Sequence, residues 1–364
     1  MTEHAFSVAL VGCGAISDNH LRGVLAAGQK ICALCDILPE RAEALAARHG
    51  LRVPVYRDYE TMLSSVRPDA VHILTPHDLH APMAAEALRR GIHVLCEKPL
   101  AMTEKQLSEV LAAEKASTAR LGVCHQNRWE PSMRRLRETL SGDRILGGCG
   151  DVIWKRDRDY YLQCAWRGRL ATEGGGVLIN QALHTLDLLC WICGMPAYVT
   201  AHTANDHLRG LVEVEDTVFA LFELPDGTPL QFFATTGAGD SFGAHLRLSA
   251  ARAGQIHAET GYLLFDNATL SESGREVPFG KREWGCGHAD LIRDFYAALQ
   301  SGAPFPVDGK EAAKVVRLIL SVYASHGDRI PVIGAEAPAD GAAAENGTAP
   351  VHPPQVSEGK EISL

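Results

Sequence analysis

Short apolar runs alternate with amphipathic stretches through the first part of the chain. Ser7–Val11 predicts a buried strand, Ile16–Ala27 a helix, and Ile31–Cys35 a second strand ending at Asp36. The alternation continues with a helix over Pro39–His49, a strand over Val53–Tyr56 and a helix over Asp58–Ser65 that Asp58 caps. Ala70–Leu74 predicts a strand running into Thr75-Pro76-His77, followed by a helix over His80–Arg90 and a strand over Ile92–Cys96. A helix over Thr103–Thr118 opens with a capping box from Thr103 to Gln106, and Leu121–Cys124 closes the set. Strands separated by helices of this length imply a parallel, doubly wound α/β sheet, whose ligands bind beyond the carboxyl ends of the strands.

The pattern changes after Trp129. One amphipathic helix is expected over Pro131–Leu140, then a glycine-rich stretch to Gly150 and a strand beginning at Asp151. Further strands are expected at Ala197–Thr203, Thr217–Leu224, Leu230–Thr236, Ala244–Ala250 and Gly261–Phe265, with Pro225-Asp226-Gly227 as a hairpin signal. Strands in series imply a mostly antiparallel, open sheet, completed by helices over Ala289–Gln300 and Gly309–His326. The expected organisation is a nucleotide-binding domain at 1–126, an α+β substrate and oligomerisation domain at 127–333, and a disordered tail at 334–364. The tail is rich in Ala, Pro, Gly and Glu and lacks apolar periodicity.

Charge and composition narrow the function. A formal charge of −9 offers no footprint for nucleic acid or anionic membranes. No apolar run reaches the length of a membrane span, and the N-terminus has no signal-peptide pattern, so a cytoplasmic protein is expected. Most of the ten cysteines sit in apolar runs, which in a reducing compartment makes them small hydrophobes. The pairs Cys32/Cys35 and Cys190/Cys193 are read as core packing, and no His, Cys and carboxylate spacing calls for a metal.

The chemistry is concentrated at the strand ends. Gly12-Cys13-Gly14-Ala15-Ile16-Ser17 is a dinucleotide fingerprint with serine in place of the third glycine. Gly12 permits the tight turn and Gly14 lets a pyrophosphate approach the backbone at a helix N-terminus. Asp36 stands roughly 20 residues past the glycines, where a carboxylate grips a ribose 2′-hydroxyl and repels a 2′-phosphate, so NAD is favoured over NADP. Ile37, Thr75, Pro76, His80, Glu97 and Lys98 complete the expected cofactor crevice. In Glu97-Lys98-Pro99 the lysine is suited to hydrogen-bond a substrate hydroxyl and stabilise charge on its oxygen, with Glu97 on a ribose hydroxyl or orienting Lys98. Pro99 fixes this turn, a cis peptide being one way to do so.

A second constellation follows Glu173, where Gly174-Gly175-Gly176 lets the backbone pass close to a ligand. A helix is expected next, with Asn180 and His184 one turn apart on one face and Asp187 within reach of the His184 ring. Oxidation of a secondary alcohol needs an acceptor for the hydroxyl proton, and histidine suits that role near neutral pH. A third group, Trp154, Arg156, Arg158, Tyr160, Tyr161, Trp166, Arg167 and Arg169, is suited to a substrate wall: aromatic faces for a sugar ring, arginines for carboxylate or phosphate. Arg128 and His288 are further substrate candidates, although His288 also suits a helix cap.

Together, Val8–Ser17, Thr75-Pro76-His77 with His80, Glu97-Lys98-Pro99 and Gly174–Asp187 resemble the glucose–fructose oxidoreductase / inositol dehydrogenase (Gfo/Idh/MocA) family over roughly residues 5–332. The resemblance implies a Rossmann domain followed by an open-faced α/β domain that forms dimers or tetramers, with Lys98 and His184 as the catalytic pair. Many members carry Asp where this chain has Asn180, which cannot take up a proton but can hydrogen-bond. Trp154-x-Arg156, Tyr160-Tyr161, Trp166-Arg167-Gly168 and Asn180-Gln181 look like the branch that includes nucleotide-sugar 3-dehydrogenases.

The expected activity is NAD-dependent oxidation of a ring hydroxyl, C3 being one candidate, of a sugar, sugar derivative or cyclitol. His184 takes the proton, Lys98 bonds the same oxygen and Asn180 orients substrate. Two alternatives are distinguishable: redox-assisted glycoside cleavage releases aglycone without net NADH, and a non-catalytic NAD sensor binds NAD without hydride transfer.

Overall fold

The computed structural model describes residues 5–259, 262–265, 268–271 and 287–335. Its first sheet contains β1 (Ser7–Val11), β2 (Lys30–Cys35), β3 (Val55–Tyr56), β4 (Ala70–Ile73), β5 (His93–Cys96) and β6 (Leu121–Val123). The strands are parallel and ordered β3-β2-β1-β4-β5-β6. Between them run α1 (Ser17–Ala26), α2 (Pro39–Arg48), α3 (Tyr59–Val66), α4 (His77–Arg89) and α5 (Glu104–Ala116). This is the doubly wound order with its switch point between β1 and β4, where the glycine turn opens. The Asp58 cap forms as expected, accepting from Thr61 N at 2.7 Å.

Helix α4 starts at His77, earlier than the apolar pattern indicated, and contains Pro82. Proline cannot donate to the carbonyl four residues back. That oxygen, on Asp78, accepts instead from Gln106 Nε2 at 3.3 Å, so the helix tolerates the missing bond.

The second unit contains α6 (Pro131–Thr139), β7 (Ile145–Ile153), α7 (Arg158–Leu162), α8 (Leu170–Glu173) and α9 (Leu183–Cys193). It continues with β8 (Tyr198–Ala204), β9 (Thr217–Glu223), β10 (Pro229–Thr235), β11 (Gly243–Ala250), β12 (Gly254–Glu259), β13 (Tyr262–Phe265) and β14 (Ala268–Ser271). Helices α10 (His288–Ser301) and α11 (Gly309–Ser325) and the short β15 (Ile330–Pro331) follow. The sheet order is β14-β13-β12-β11-β7-β10-β9-β8-β15, antiparallel except for the β7–β10 pair.

The glycine-rich stretch before Asp151 is therefore strand rather than linker. A Cβ on Gly148 would fall 2.6 Å from Leu248 Cδ2, and one on Gly150 would fall 3.0 Å from Phe232 Cδ2. Neighbouring side chains lie across β7, and the glycines that hid the strand from the apolar pattern let it sit there.

Helices α9 and α11 pack on one face of this sheet in a second apolar core. Leu291, Ile292, Phe295 and Tyr296 of α10 instead join the core of the first sheet, so the chain returns to the nucleotide-binding unit near its end. No helix among the described residues is long and apolar enough to cross a membrane. The tail expected from Gly334 lies, beyond Ala335, outside the described residues, as do Gly285 and Cys286.

Candidate active site

The fingerprint turn leaves β1 with Gly12 at φ +88°, and a Cβ there would lie 2.5 Å from Leu74 O. A Cβ on Gly14 would meet nothing within 4 Å, so that side of the turn is open. No side chain caps α1, leaving the positive end of its dipole facing the same opening. Asp36 accepts from Cys13 N at 2.7 Å and Leu38 N at 2.9 Å, and each oxygen keeps a lone pair for a hydroxyl. Ile37 beside it is exposed. These features fit a bound dinucleotide.

Lys98, on the loop after β5, follows the cis Lys98–Pro99 geometry of its turn and reaches the second unit. Its Nζ lies 2.8 Å from Asn180 O and 3.4 Å from Asn180 Oδ1. Burial pushes the Lys98 pKa down, while Glu97 and Glu173 oppose that shift.

His184 is in the first turn of α9. Burial pushes its pKa well below the usual imidazole value, and the Lys98 charge adds to the effect, so the ring rests neutral beside the ammonium. Gln126 Nε2 is 3.1 Å from His184 Nε2. Because an amide nitrogen can only donate, that ring nitrogen presents its lone pair, as a proton acceptor requires.

Asn180 does not share α9 with His184. It sits in the turn that precedes the helix, with its N–H bonded to Gly176 O at 3.1 Å. Glu215 clamps this turn, accepting from Gly176 N at 2.8 Å, Leu178 N at 3.1 Å and Tyr323 OH at 3.0 Å. A Cβ on Gly176 would overlap Glu215 O. A Cβ on Gly174 would likewise meet Met102 and one on Gly175 would meet Tyr323, so the close passage expected of the three glycines is to protein.

Four expected site residues are placed elsewhere. Arg128 is buried, with Nε 2.7 Å and Nη2 2.6 Å from the Asp187 carboxylate and Nη1 2.9 Å from Glu311. Asp187 also lies 2.8 Å from His125 Nδ1, so it serves this network and not the His184 ring. His184 Nδ1 has no hydrogen-bond partner among the described residues. His80 is buried with its ring nitrogens 2.7 Å from Pro99 O and 2.8 Å from Thr75 O, which joins two crevice loops from behind. Glu97 and His288 face inward and meet each other at 3.2 Å.

Part of the aromatic and basic segment lies beside these residues, while Arg169 is exposed and pairs with Glu213 at 2.9 Å and Tyr161 joins a small apolar cluster with Leu208, Val212 and Val214. Two guanidiniums lie over the Tyr160 ring, Arg156 at 4.9 Å and Arg167 at 4.2 Å from its centroid. Its hydroxyl accepts from Gln181 Nε2 at 3.1 Å, next to Asn180. Trp166 packs on His77 at 4.9 Å between centroids. Arg156 Nε and Arg167 Nε have no hydrogen-bond partner, and neither arginine has a carboxylate at ion-pair distance, among the described residues.

Sequence reasoning assigned no role to Glu173 or Gln126. Glu173 Oε1 accepts from Asn180 Nδ2 at 2.5 Å, and its other oxygen accepts from Gly168 N. Burial pushes its carboxyl up to about 7, against these two bonds. An ionisable residue directly before three glycines was the available signal.

A fingerprint turn open to a dinucleotide, with a lysine loop and a neutral histidine meeting across two units, defines an NAD-dependent oxidoreductase acting on CH–OH groups. The chain belongs to the Gfo/Idh/MocA family. Residues 6–125 match the model of the oxidoreductase family with an NAD-binding Rossmann fold, and residues 133–263 match the GFO/IDH/MocA C-terminal domain. The chain is similar to D-apiose dehydrogenase of Paraburkholderia graminis, at 26% identity over 93% of each chain. It is 30% identical to D-glucoside 3-dehydrogenase of Escherichia coli, over 62% of this chain and 69% of the relative. The WlbA dehydrogenase of Bordetella pertussis, solved with NADH and UDP-GlcNAcA, aligns with a TM-score of 0.78 and 27% identity, covering 90% of this chain and 99% of that one.

Proposed function

We propose that the protein oxidises a ring hydroxyl, with C3 as the candidate position, of an anionic sugar derivative such as a nucleotide sugar. The reading rests on one observation above others: Lys98 Nζ, from the nucleotide-binding unit, bonds Asn180 of the second unit beside a neutral His184. NAD, when bound, supplies the hydride acceptor. His184 takes the hydroxyl proton on Nε2, replacing its contact with Gln126. Lys98 donates to the same oxygen and stabilises the charge that builds there as the C–H bond weakens. Asn180 and Gln181 orient the neighbouring hydroxyls.

Arg156 and Arg167, with no carboxylate at ion-pair distance among the described residues, support an anionic group on the substrate. The relative solved with UDP-GlcNAcA supports the same substrate class. Phe219 (56% exposed) and Leu221 (43%) alternate with buried residues on β9, supporting a homodimer or homotetramer formed through this sheet. A cytoplasmic location goes with the reading of the cysteines.

The test is an NAD-reduction screen across UDP-sugars, UDP-uronates, free sugars, glycosides and cyclitols. Activity should favour the anionic members. Arg156→Gln and Arg167→Gln should each raise KM for them by roughly 10- to 100-fold, as expected for losing a charge-assisted bond. Equal activity on neutral cyclitols, unaffected by either substitution, would remove the anionic substrate.

A further inference from the structure

Behind the Lys98 loop, side chains from three separate elements bring their ligand atoms together, and a cysteine from a fourth stands beside them. His20 Nε2 from α1 lies 3.0 Å from Glu97 Oε1, at the end of β5. His288 Nε2, from the first residue of α10, lies 3.2 Å from the same oxygen. Cys124 Sγ, just past β6, lies 3.9 Å from His20 Nε2. The two imidazoles and the carboxylate offer atoms all within 4.8 Å of one another. All four residues are buried, His20 and Cys124 at 0% exposure. None of them takes part in the proton and hydride chemistry proposed above.

We propose that His20, Glu97, Cys124 and His288 form an internal site for one divalent transition-metal ion of the zinc type, which fastens α10 to the nucleotide-binding unit. A tetrahedral ion with metal–nitrogen and metal–oxygen bonds near 2.0–2.2 Å and a metal–sulfur bond near 2.3 Å sets its ligand atoms about 3.3–3.7 Å apart. The separations of 3.0, 3.2 and 3.9 Å need adjustments of only a few tenths of an ångström, and Cys124 moves furthest to complete the site, because its sulfur stands outside the 4.8 Å group formed by the other three. One carboxylate and one thiolate with two neutral imidazoles balance a divalent charge, as a site without water requires.

The surroundings suit coordination equally well. With His20 Nε2 on the ion, its Nδ1–H donates to His72 Nδ1 at 2.9 Å. His72 Nε2–H then donates to Tyr296 OH at 2.8 Å. This is the outer-shell support that fixes the orientation of ligating histidines. Glu97 Oε2 remains to accept from Lys98 N at 3.3 Å, which links the site to the catalytic loop. No sequence spacing announces the site, because its members meet only when the first sheet and α10 come together. It departs from the absence of metal expected from spacing alone.

The full chain, produced in zinc-supplemented and separately in cobalt-supplemented medium, should carry about one ion per chain after gel filtration in the presence of a chelator. The cobalt protein should show the strong d–d absorption of a tetrahedral ion together with a thiolate-to-cobalt charge-transfer band. Cys124→Ser, nearly unchanged in volume, should lose that band, and His288→Ala should lose the ion, while circular dichroism verifies folding of each. Substoichiometric metal (below about one ion in ten chains) in wild type from both media would overturn the site, as would a cobalt spectrum that Cys124→Ser leaves unchanged.

Discussion

Glu173 and Lys98 share Asn180: the carboxylate accepts from the amide nitrogen at 2.5 Å, while the ammonium donates to the backbone oxygen of the same residue at 2.8 Å. Asn180 thereby faces a carboxylate and a cation at once, with its amide orientation fixed. This chain places an amide beside the Lys98 ammonium and sets a carboxyl behind it.

The raised Glu173 carboxyl has a definite pH signature. Folding lifts it from 4.5 to about 7, so between those values the folded state holds a proton that the unfolded chain has released. The stability tied to that proton is complete below about pH 4.5 and is lost as pH rises to about 7, a change of about 3 kcal/mol. Melting temperatures of wild type and Glu173→Gln across this window should differ in slope, with the variant lacking the decline. The kcat/KM profile of wild type should bend near pH 7, and that bend should be absent from the variant.

His184→Ala and Lys98→Ala should each lower kcat by roughly 10²–10⁴-fold, with NAD affinity unchanged for the histidine variant. Stopped-flow NADH formation and a binding titration separate the two effects. A loss below about threefold for His184→Ala, in a folded protein, would remove it as the proton acceptor.

Arg128→Ala should act on stability. It strands the Asp187 carboxylate, whose pKa burial raises but His125 and Arg128 together hold far below the usual range. Breaking one member of such a buried pair costs about 3–5 kcal/mol, readable by chemical denaturation. An unchanged denaturation midpoint combined with a higher KM would restore Arg128 to the substrate site.

Gly12→Ala and Gly14→Ala should separate folding from cofactor binding. At Gly12 the added carbon would strike Leu74 O and require a strained backbone, so stability falls. At Gly14 it meets only open space, so stability should stay within about 1 kcal/mol of wild type. NAD affinity at that position should nevertheless drop by roughly tenfold or more, because the methyl group projects where a pyrophosphate must approach.

The parallel sheet was legible because each strand is a short apolar run punctuated by a helix with its own cap or glycine stop, as at Asp58 and Gly91. Lys98 stood out by its place directly after a buried strand and His184 by its place after a glycine triplet, whereas the approach of their two segments through Asn180 needed the fold. The part of strand β7 before Asp151 was not legible, since Gly147, Gly148 and Gly150 carry no side chain from which a period can be read. Arg128, His80 and His288 look like ligand contacts in one dimension because they are polar and close to the motifs. Only the fold reveals Asp187, the Thr75 and Pro99 carbonyls, and Glu97 as the groups that occupy them.

The return of α10 to the first core has a consequence for synthesis on the ribosome. The nucleotide-binding unit emerges first, yet Leu291, Ile292, Phe295 and Tyr296, which fill its interior, leave the exit tunnel after every strand of the second sheet except β15. The half of the molecule that begins first therefore waits for most of the other half, and a nascent chain stalled before His288 would hold an unsealed apolar surface against α1.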